Sequence, residues 1–270
     1  MQSTSIIIST YNQSDFIDKV LTGYNCQKYK DFDIIIADDG SEKETRNIIE
    51  HFKNTTNLDI KHVWHEDNGF QKSVILNKAI QASKSDYLIF SDADCIPNQS
   101  FVQTHINLAA QGYFLSGGHF PLNSSISNLI TEDNISSQQC FNKTFLLLNG
   151  QRLSKNYFKM LKRKLLSAFL DKITPTNSTF NGNNTSAWRT DILKVHGFDE
   201  RMKYGGLDRE LGYRLNNMGI QSKQIRNRST CLHFYHDRPY KNSISIKKNL
   251  SIIHETITNK NIYTSFGIKK

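Results

Sequence analysis

Four short apolar runs in the first hundred residues are separated by longer stretches whose apolar positions recur every three or four residues. The runs Ser5-Ile6-Ile7-Ile8-Ser9, Phe32-Asp33-Ile34-Ile35-Ile36-Ala37, Ile60-Lys61-His62-Val63-Trp64 and Tyr87-Leu88-Ile89-Phe90 are rich in β-branched residues, as strands buried in a sheet require. Helical spacing fills 15–24, 42–52 and 71–82, with a further helix expected over 99–110. Strand and helix in alternation predict an α/β chain with a mostly parallel central sheet and helices on both faces.

Ligands of such sheets bind beyond the carboxyl ends of the strands. The polar clusters all fall there: Thr10-Tyr11-Asn12, Asp38-Asp39-Gly40-Ser41 and Asp92-Ala93-Asp94. One cleft is therefore expected to collect them. Asp92 and Asp94, two carboxylates flanking one small residue at a strand end, are spaced to share a hard divalent cation, which would offset charge on a phosphate leaving group. Each acidic cluster also has a local reading, Asp38 to Ser41 as a turn and helix cap and Asp92 to Asp94 as a cap of the next helix. No GxxxxGK[ST] run is present to cradle phosphates, so phosphates in this cleft would need a metal.

At 270 residues and 37% hydrophobic content the chain supports one sizeable core, which excludes disordered and fibrous classes. The sequence has neither a secretory leader at its start nor a run of about 20 apolar residues, so a cytoplasmic protein is expected. Cys26, Cys95, Cys140 and Cys231 are widely spaced, which predicts reduced thiols rather than a zinc or disulfide framework. The 34 Lys and Arg against 25 Asp and Glu leave a charge of +9 and favour anionic partners. Aromatics interleaved with a basic stripe are weak, so nucleic acid is not expected. Much of the positive charge lies in 155–166, where apolar residues at helical spacing alternate with Lys and Arg. That helix either packs its apolar side on the domain or docks on the anionic inner face of a membrane.

Taken in order, Ser9-Thr10-Tyr11-Asn12, the DDGS of 38–41, NGFQKSVILNKAI at 68–80, SDADC at 91–95 and GGLDRELGYRL at 205–215 resemble family-two glycosyltransferases of the GT-A fold over nearly the whole chain. The second half is similar to bacterial chondroitin-type polymerases and to β-1,4-galactosyltransferases, whose corresponding segment reads GGED. The resemblance implies a single domain over 1–270: a nucleotide-binding part (1–118), an acceptor-binding part (119–240) with a variable insertion (121–176), and a helical tail (241–270). It implies a UDP-sugar donor, with Ser9 and Tyr11 against uracil and Asp39 accepting its imide proton. Asp92 would approach the ribose or the metal, and Asp94 would ligate Mn2+ or Mg2+ between the phosphates. His233 is the first choice to complete that coordination and His236 the second, with His236 or Arg238 otherwise meeting the diphosphate. Gln71 stands where many relatives carry Arg, and Lys72 offers a replacement cation.

On the acceptor side the resemblance makes Asp208 the general base of an inverting displacement, with Leu207 in place of the usual Glu and Glu210 as a helix residue near the site. The segment 180–188 would run under the sugar, with Trp188 as platform or core, and Gly117-Gly118-His119 would border it. The implied function is transfer of a hexose or N-acetylhexosamine to a glycan or lipid-linked glycan hydroxyl in bacterial surface polysaccharide or lipo-oligosaccharide synthesis. The alternatives are a retaining transferase, a nucleotidyltransferase on a similar sheet, or a sugar-nucleotide binding module without turnover.

Overall fold

The computed structural model describes residues 2–161, 163–237 and 242–269, so Lys162 and Arg238 lie outside the described residues. The expected alternation is present through the first half: β1 (Thr4–Thr10), α1 (Ser14–Asn25), β2 (Asp33–Asp38), α2 (Lys43–Thr55), β3 (Asp59–Trp64), α3 (Lys72–Ala82) and β4 (Tyr87–Asp92). Next come β5 (Cys95–Pro97), α4 (Phe101–Leu108), β6 (Tyr113–Ser116), β7 (Gly118–Pro121) and the short helices α5 (Ser124–Leu129), α6 (Glu132–Ser136) and α7 (Lys143–Leu148). The chain continues through α8 (Lys164–Ile173), β8 (Thr185–Trp188), α9 (Arg189–Lys194), α10 (Leu207–Asn217), β9 (Gln221–Gln224), β10 (Thr230–His233) and α11 (Ser243–Thr258).

The main sheet runs β3-β2-β1-β4-β8-β6-β9. Its pairs are parallel except those of β8, which is antiparallel to both β4 and β6. Along β1, Ile6 and Ile8 enter one apolar cluster with α1, α2 and α4, while Ile7 enters another with α3, α9 and α10. Ile34, Ile35 and Ile36 of β2 divide the same way, which explains runs of isoleucine where a one-sided sheet would alternate with polar residues. The strand order reverses between β1 and β4, so a crevice opens at their carboxyl ends. A second sheet, β5-β10-β7, closes the far side of that crevice. Three of the four cysteines are buried and all are free thiols.

Two expectations are corrected. The single amphipathic helix over 155–166 is instead a 3₁₀ helix, Lys155–Met160, followed by extended backbone at Leu161 and Arg163 and then α8. The break lets Tyr157 pack against Phe120 while Ser167 and Asp171 of α8 turn inward. Asp171 accepts from the Arg228 Nε at 2.6 Å and from the Asn227 side chain and backbone, and those bonds draw the polar side of α8 onto the domain.

Glu210 is not at the cleft. It is buried between α10 and α11, where Arg214 donates to both its oxygens and the Thr256 hydroxyl to one, while Arg214 Nη1 also donates to the Val195 carbonyl. Such a pair is costly to bury and costlier to break, because the surviving charge has no solvent. Glu210→Ala is expected to remove about 3 kcal/mol or more of stability in urea denaturation; a loss below about 1 kcal/mol would show that Arg214 is relieved by water or other partners.

Candidate active site

The crevice is a cavity of about 710 Å³, lined on one side by the ends of β1, β2 and β4 and on the other by β7, the 179–183 loop, β10 and the start of α10. Ser9, Tyr11, Asp39, Asp92, Asp94, Asp208 and His233 all line it, brought together from positions up to 224 residues apart. Gln71 does not. It precedes α3 and its backbone amide donates to Asp39 Oδ2 at 2.9 Å, while the next residue, Lys72, reaches the cavity.

The DDGS turn divides its two roles between its two aspartates. Asp38 is fully buried and accepts from the Ser41 amide, while His62 bonds its other oxygen, so it holds the turn. Gly40 takes φ +95°, and a Cβ there would sit 2.6 Å from the Asp67 backbone. Asp39 faces the cavity, with His65 Nε2 at 2.8 Å from one oxygen and the Gln71 amide on the other; burial raises its pKa. Lys78 donates to the other nitrogen of His65, which fixes that ring's tautomer. The Tyr11 hydroxyl donates to Asp67, leaving its ring at the cavity edge.

Across the strand-order reversal, the Ser9 hydroxyl donates to Asp92 Oδ1 at 2.5 Å and Lys72 Nζ to the same oxygen at 2.7 Å. Burial lowers the Lys72 pKa, but the carboxylates of Asp92, Asp208 and Asp94 outweigh it and hold the ammonium above its usual range. Neither Asp92 nor Asp94 caps α4, whose preceding residue Ser100 makes no side-chain cap.

Asp94 faces two imidazoles. His236 Nε2 lies 2.9 Å and His233 Nε2 3.7 Å from Asp94 Oδ2. Each ring turns Nδ1 to a backbone carbonyl, His233 to Phe234 at 2.7 Å and His236 to Asp237 at 2.8 Å. A carbonyl only accepts, so Nδ1 carries the proton and Nε2 of a neutral ring presents a lone pair to the carboxylate. The contact closes with a ring proton or with a cation between them. A carboxylate oxygen and two backbone-oriented imidazoles suit a divalent transition ion such as manganese. Burial opposes ionisation of Asp94, but the two histidines and the Cys95 thiol reverse the effect and hold its pKa well below the carboxylate range. Cys95 lies beside this set, yet burial lifts its thiol well above the ordinary value, so it serves as a proton donor to Asp94 at 3.1 Å.

Asp208 enters from the first turn of α10, after Gly206 at φ +85°. Its Oδ1 is buried with no hydrogen-bond partner, and it sits so close to Gly182 that a Cβ there would lie 2.8 Å from it. Burial raises its pKa to about 6, against the pull of Lys72 and with a push from Asp92. Trp188 lies at the other end of the sheet, edge-on to Tyr87 at 5.1 Å with its indole donating to Ala110, so it is core. Lys159 and Arg226 line the cavity and were not marked by the sequence motifs; nor was His65, which follows β3 and meets the site through its bond to Asp39.

The model of the family described as "Glycosyl transferase family 2" matches residues 5–170. The chain belongs to glycosyl transferase family 2. This family-2 chain is 26% identical over 248 residues to the chondroitin synthase of Escherichia coli, covering 87% of this chain and 34% of that protein. With the chondroitin synthase of Pasteurella multocida (strain Pm70) the identity is 27%, over 78% of this chain and 22% of the other. The family-2 chain thus spans 34% and 22% of the length of these two relatives. Among solved structures it superposes on S. aureus TarS 1–349 in complex with UDP-GlcNAc (TM-score 0.64, 14% identity, 96% of this chain and 66% of that one). It also superposes on the mannosyltransferase PcManGT from Pyrobaculum calidifontis in complex with GDP-Man and Mn2+ (TM-score 0.60, 16% identity, 88% and 59%). These likenesses carry the GT-A fold.

The position of Asp208 has a consequence that needs no substrate. Its folded-state pKa of about 6 exceeds the ordinary 3.8, so the folded chain holds this proton more tightly than the unfolded chain. The stabilisation is complete below about pH 4 and is lost as pH rises through 6. Asp208→Asn removes that dependence, so its melting temperature relative to the unaltered protein is expected to rise between pH 4 and 7; a flat difference would mean that Asp208 titrates normally.

Proposed function

We propose that this family-2 chain transfers a hexose or N-acetylhexosamine from a UDP-sugar to a hydroxyl of a glycan or lipid-linked glycan by a metal-dependent inverting displacement, in synthesis of bacterial surface polysaccharide or lipo-oligosaccharide. Asp208 carries the reading: a carboxylate with an unpartnered buried oxygen and a pKa near 6, set across the cleft from Asp92 and Asp94. A general base works best with a pKa near the working pH. The acceptor hydroxyl oxygen forms a bond to the anomeric carbon as the bond to the diphosphate oxygen breaks, UDP leaves with the electron pair, and the hydroxyl proton passes to Asp208. One such attack inverts the anomeric centre. A binding module has no need of such a base.

Asp39 accepts the uracil imide proton with the remaining lone pairs of its oxygens, and Ser9 and Tyr11 border the ring. Lys72 holds Asp92 in place. Asp94 with His233 and His236 would hold a divalent ion, which when bound offsets charge on the leaving diphosphate. The names of the relatives support the substrate class: chondroitin synthases, and a glucosyltransferase of Campylobacter jejuni described as acting on an undecaprenol-linked glycan.

Thermal shift with a panel of UDP-sugars and Mn2+ tests both assignments, because a ligand of the folded state raises its stability. Asp94→Ala is expected to abolish the part of the shift that needs Mn2+. Asp208→Asn is expected to keep the full shift while transfer falls by about 10²–10⁴. Unchanged turnover in Asp208→Asn would refute the base, and an unchanged Mn2+ requirement in Asp94→Ala would refute the metal site.

The membrane contact also takes a definite form. Among the described residues no helix is long and apolar enough to cross a bilayer. α8, however, is built inside out: Ser167 and Asp171 are buried while Leu165, Leu166, Phe169 and Ile173 are exposed on one side, Leu165 by 89%. From Asn134 to Leu170 the chain has no acidic residue and seven Lys or Arg. An apolar ridge in a wholly basic stretch fits an anionic bilayer surface, with the cytoplasmic leaflet the expected partner. Leu165→Ser with Phe169→Ser should weaken sedimentation with phosphatidylglycerol vesicles by roughly tenfold or more, with no change in melting temperature. Equal binding by variant and parent, or equal binding to purely zwitterionic vesicles, would exclude this surface.

A further inference from the structure

The cleft has a positively charged end away from Asp39 and Asp94. Lys159 of the 3₁₀ helix and Arg226, which follows β9, both line the cavity. Lys159 Nζ donates to the His119 carbonyl at 2.8 Å, and Arg226 Nη1 to the Thr176 hydroxyl at 2.9 Å. Arg226 Nε is buried without a partner. Among the described residues neither cation has a carboxylate in ion-pair distance. The candidate counter-charge, Asp171, is consumed by Arg228 and Asn227. The Thr230 hydroxyl donates to the backbone carbonyls of both Lys159 and Arg226, so the two segments are pinned together at the start of β10.

Two half-buried like charges held side by side without a counter-ion are unfavourable unless an anion visits them. Burial, reinforced by Arg226 and Lys155, lowers the Lys159 pKa to about 8, and burial lowers that of Arg226 as well. The unmet demand lies at one known place in the cleft. Thr230 and Gly118 pair at the start of β10 and β7, whereas His233 and Asp94 stand at the other end of the same sheet. Asp39, where uracil is placed, lies beyond Asp94 again, on the main sheet. The cations are therefore on the far side of the metal-binding residues from the base. They are also on the side of α8, whose Asp171 anchors the neighbours of Arg226.

We propose that Lys159 and Arg226 form an anion subsite that recognises a carboxylate or a phosphate on the acceptor glycan. Asn183 lies in the same wall with its Nδ2 3.2 Å from His119 Nδ1; its unpartnered Oδ1 can accept from a sugar hydroxyl beside the anion. The inference rests on the glycosyl-transfer reading, since it takes the diphosphate to lie at Asp94.

The test is binding by NMR titration to the full chain saturated with UDP and Mn2+, using methyl β-D-glucuronide, glucose 6-phosphate and neutral methyl β-D-glucoside. One of the two anionic sugars is expected to bind about tenfold or more tightly than the neutral one, and which one does so names the anion. Lys159→Met and Arg226→Gln should each erase the preference, Lys159→Arg should retain it, and all three should bind UDP as the parent does. Absence of any preference, or its survival in both charge-removing variants, would overturn the subsite. So would a parallel loss of affinity for UDP, or for UDP-glucuronate relative to UDP-glucose, because the cations would then serve the donor. Failure of the parent to bind UDP with Mn2+ would sink the glycosyl-transfer reading itself, and this inference with it.

Discussion

One ammonium group holds the centre of the cleft together. Lys72 sits in the first turn of α3, at the ends of β1 and β4, and its ammonium faces Asp92, Asp208 and Asp94. Three carboxylates in one partly desolvated space repel one another, and without a counter-charge they would take up protons or move apart. Lys72 bonds Asp92 directly and pulls down the pKa of Asp208 that burial pushes up. Its removal would disturb the geometry of Asp92 and the proton affinity of Asp208 together. The strand-order reversal makes this possible, since it places Ser9 of β1 opposite Asp92 of β4 and leaves room above both for α3 to deliver a lysine.

The same site shows why a motif of two acids is hard to read singly. In DDGS one aspartate holds the turn and the other faces the cavity; in DAD, Asp92 is tied to Lys72 and Ser9 and Asp94 to two histidines. The first half of the fold was legible because strands buried on both faces leave long isoleucine runs and helices leave a periodic stripe. Family motifs carried Asp208 and His233. What escaped were features set by distant contacts. β8 runs antiparallel in a sheet otherwise parallel, and nothing in Thr185-Ser186-Ala187-Trp188 marks its direction. Lys159 and Arg226 reach the cleft, and His65 reaches Asp39 beside it, only through pairing of segments far apart in sequence. Glu210 reads as a helix residue near the site because it follows Asp208 by two, yet on a helix two residues separate directions by about 200°, and Glu210 is turned into the core.

The helix expected over 155–166 failed for a related reason. Its apolar spacing left open a face packed on the domain or one docked on a membrane, and spacing alone does not say which side of a helix is inside. Asp171 and Ser167 settle the matter for α8, because Arg228 and Asn227 offer Asp171 more than solvent does, while the leucines on the opposite side find no protein to cover them. The cost of leaving that ridge in water is part of the case for a surface that covers it.

Charge is sorted along the cleft as well as balanced within it. Carboxylates crowd the base and metal end, where Lys72 and a divalent ion can answer them; uncompensated cations stand at the other end, beside the basic insertion and its apolar ridge. A substrate pair with phosphates in the middle and a further negative charge on the acceptor would match that sequence of signs. A neutral acceptor would leave Lys159 and Arg226 without a counter-charge, with Arg226 Nε still unpartnered. Desolvated charge of one sign persists in a fold when something of the other sign completes it, and among the described residues no carboxylate pairs with either cation.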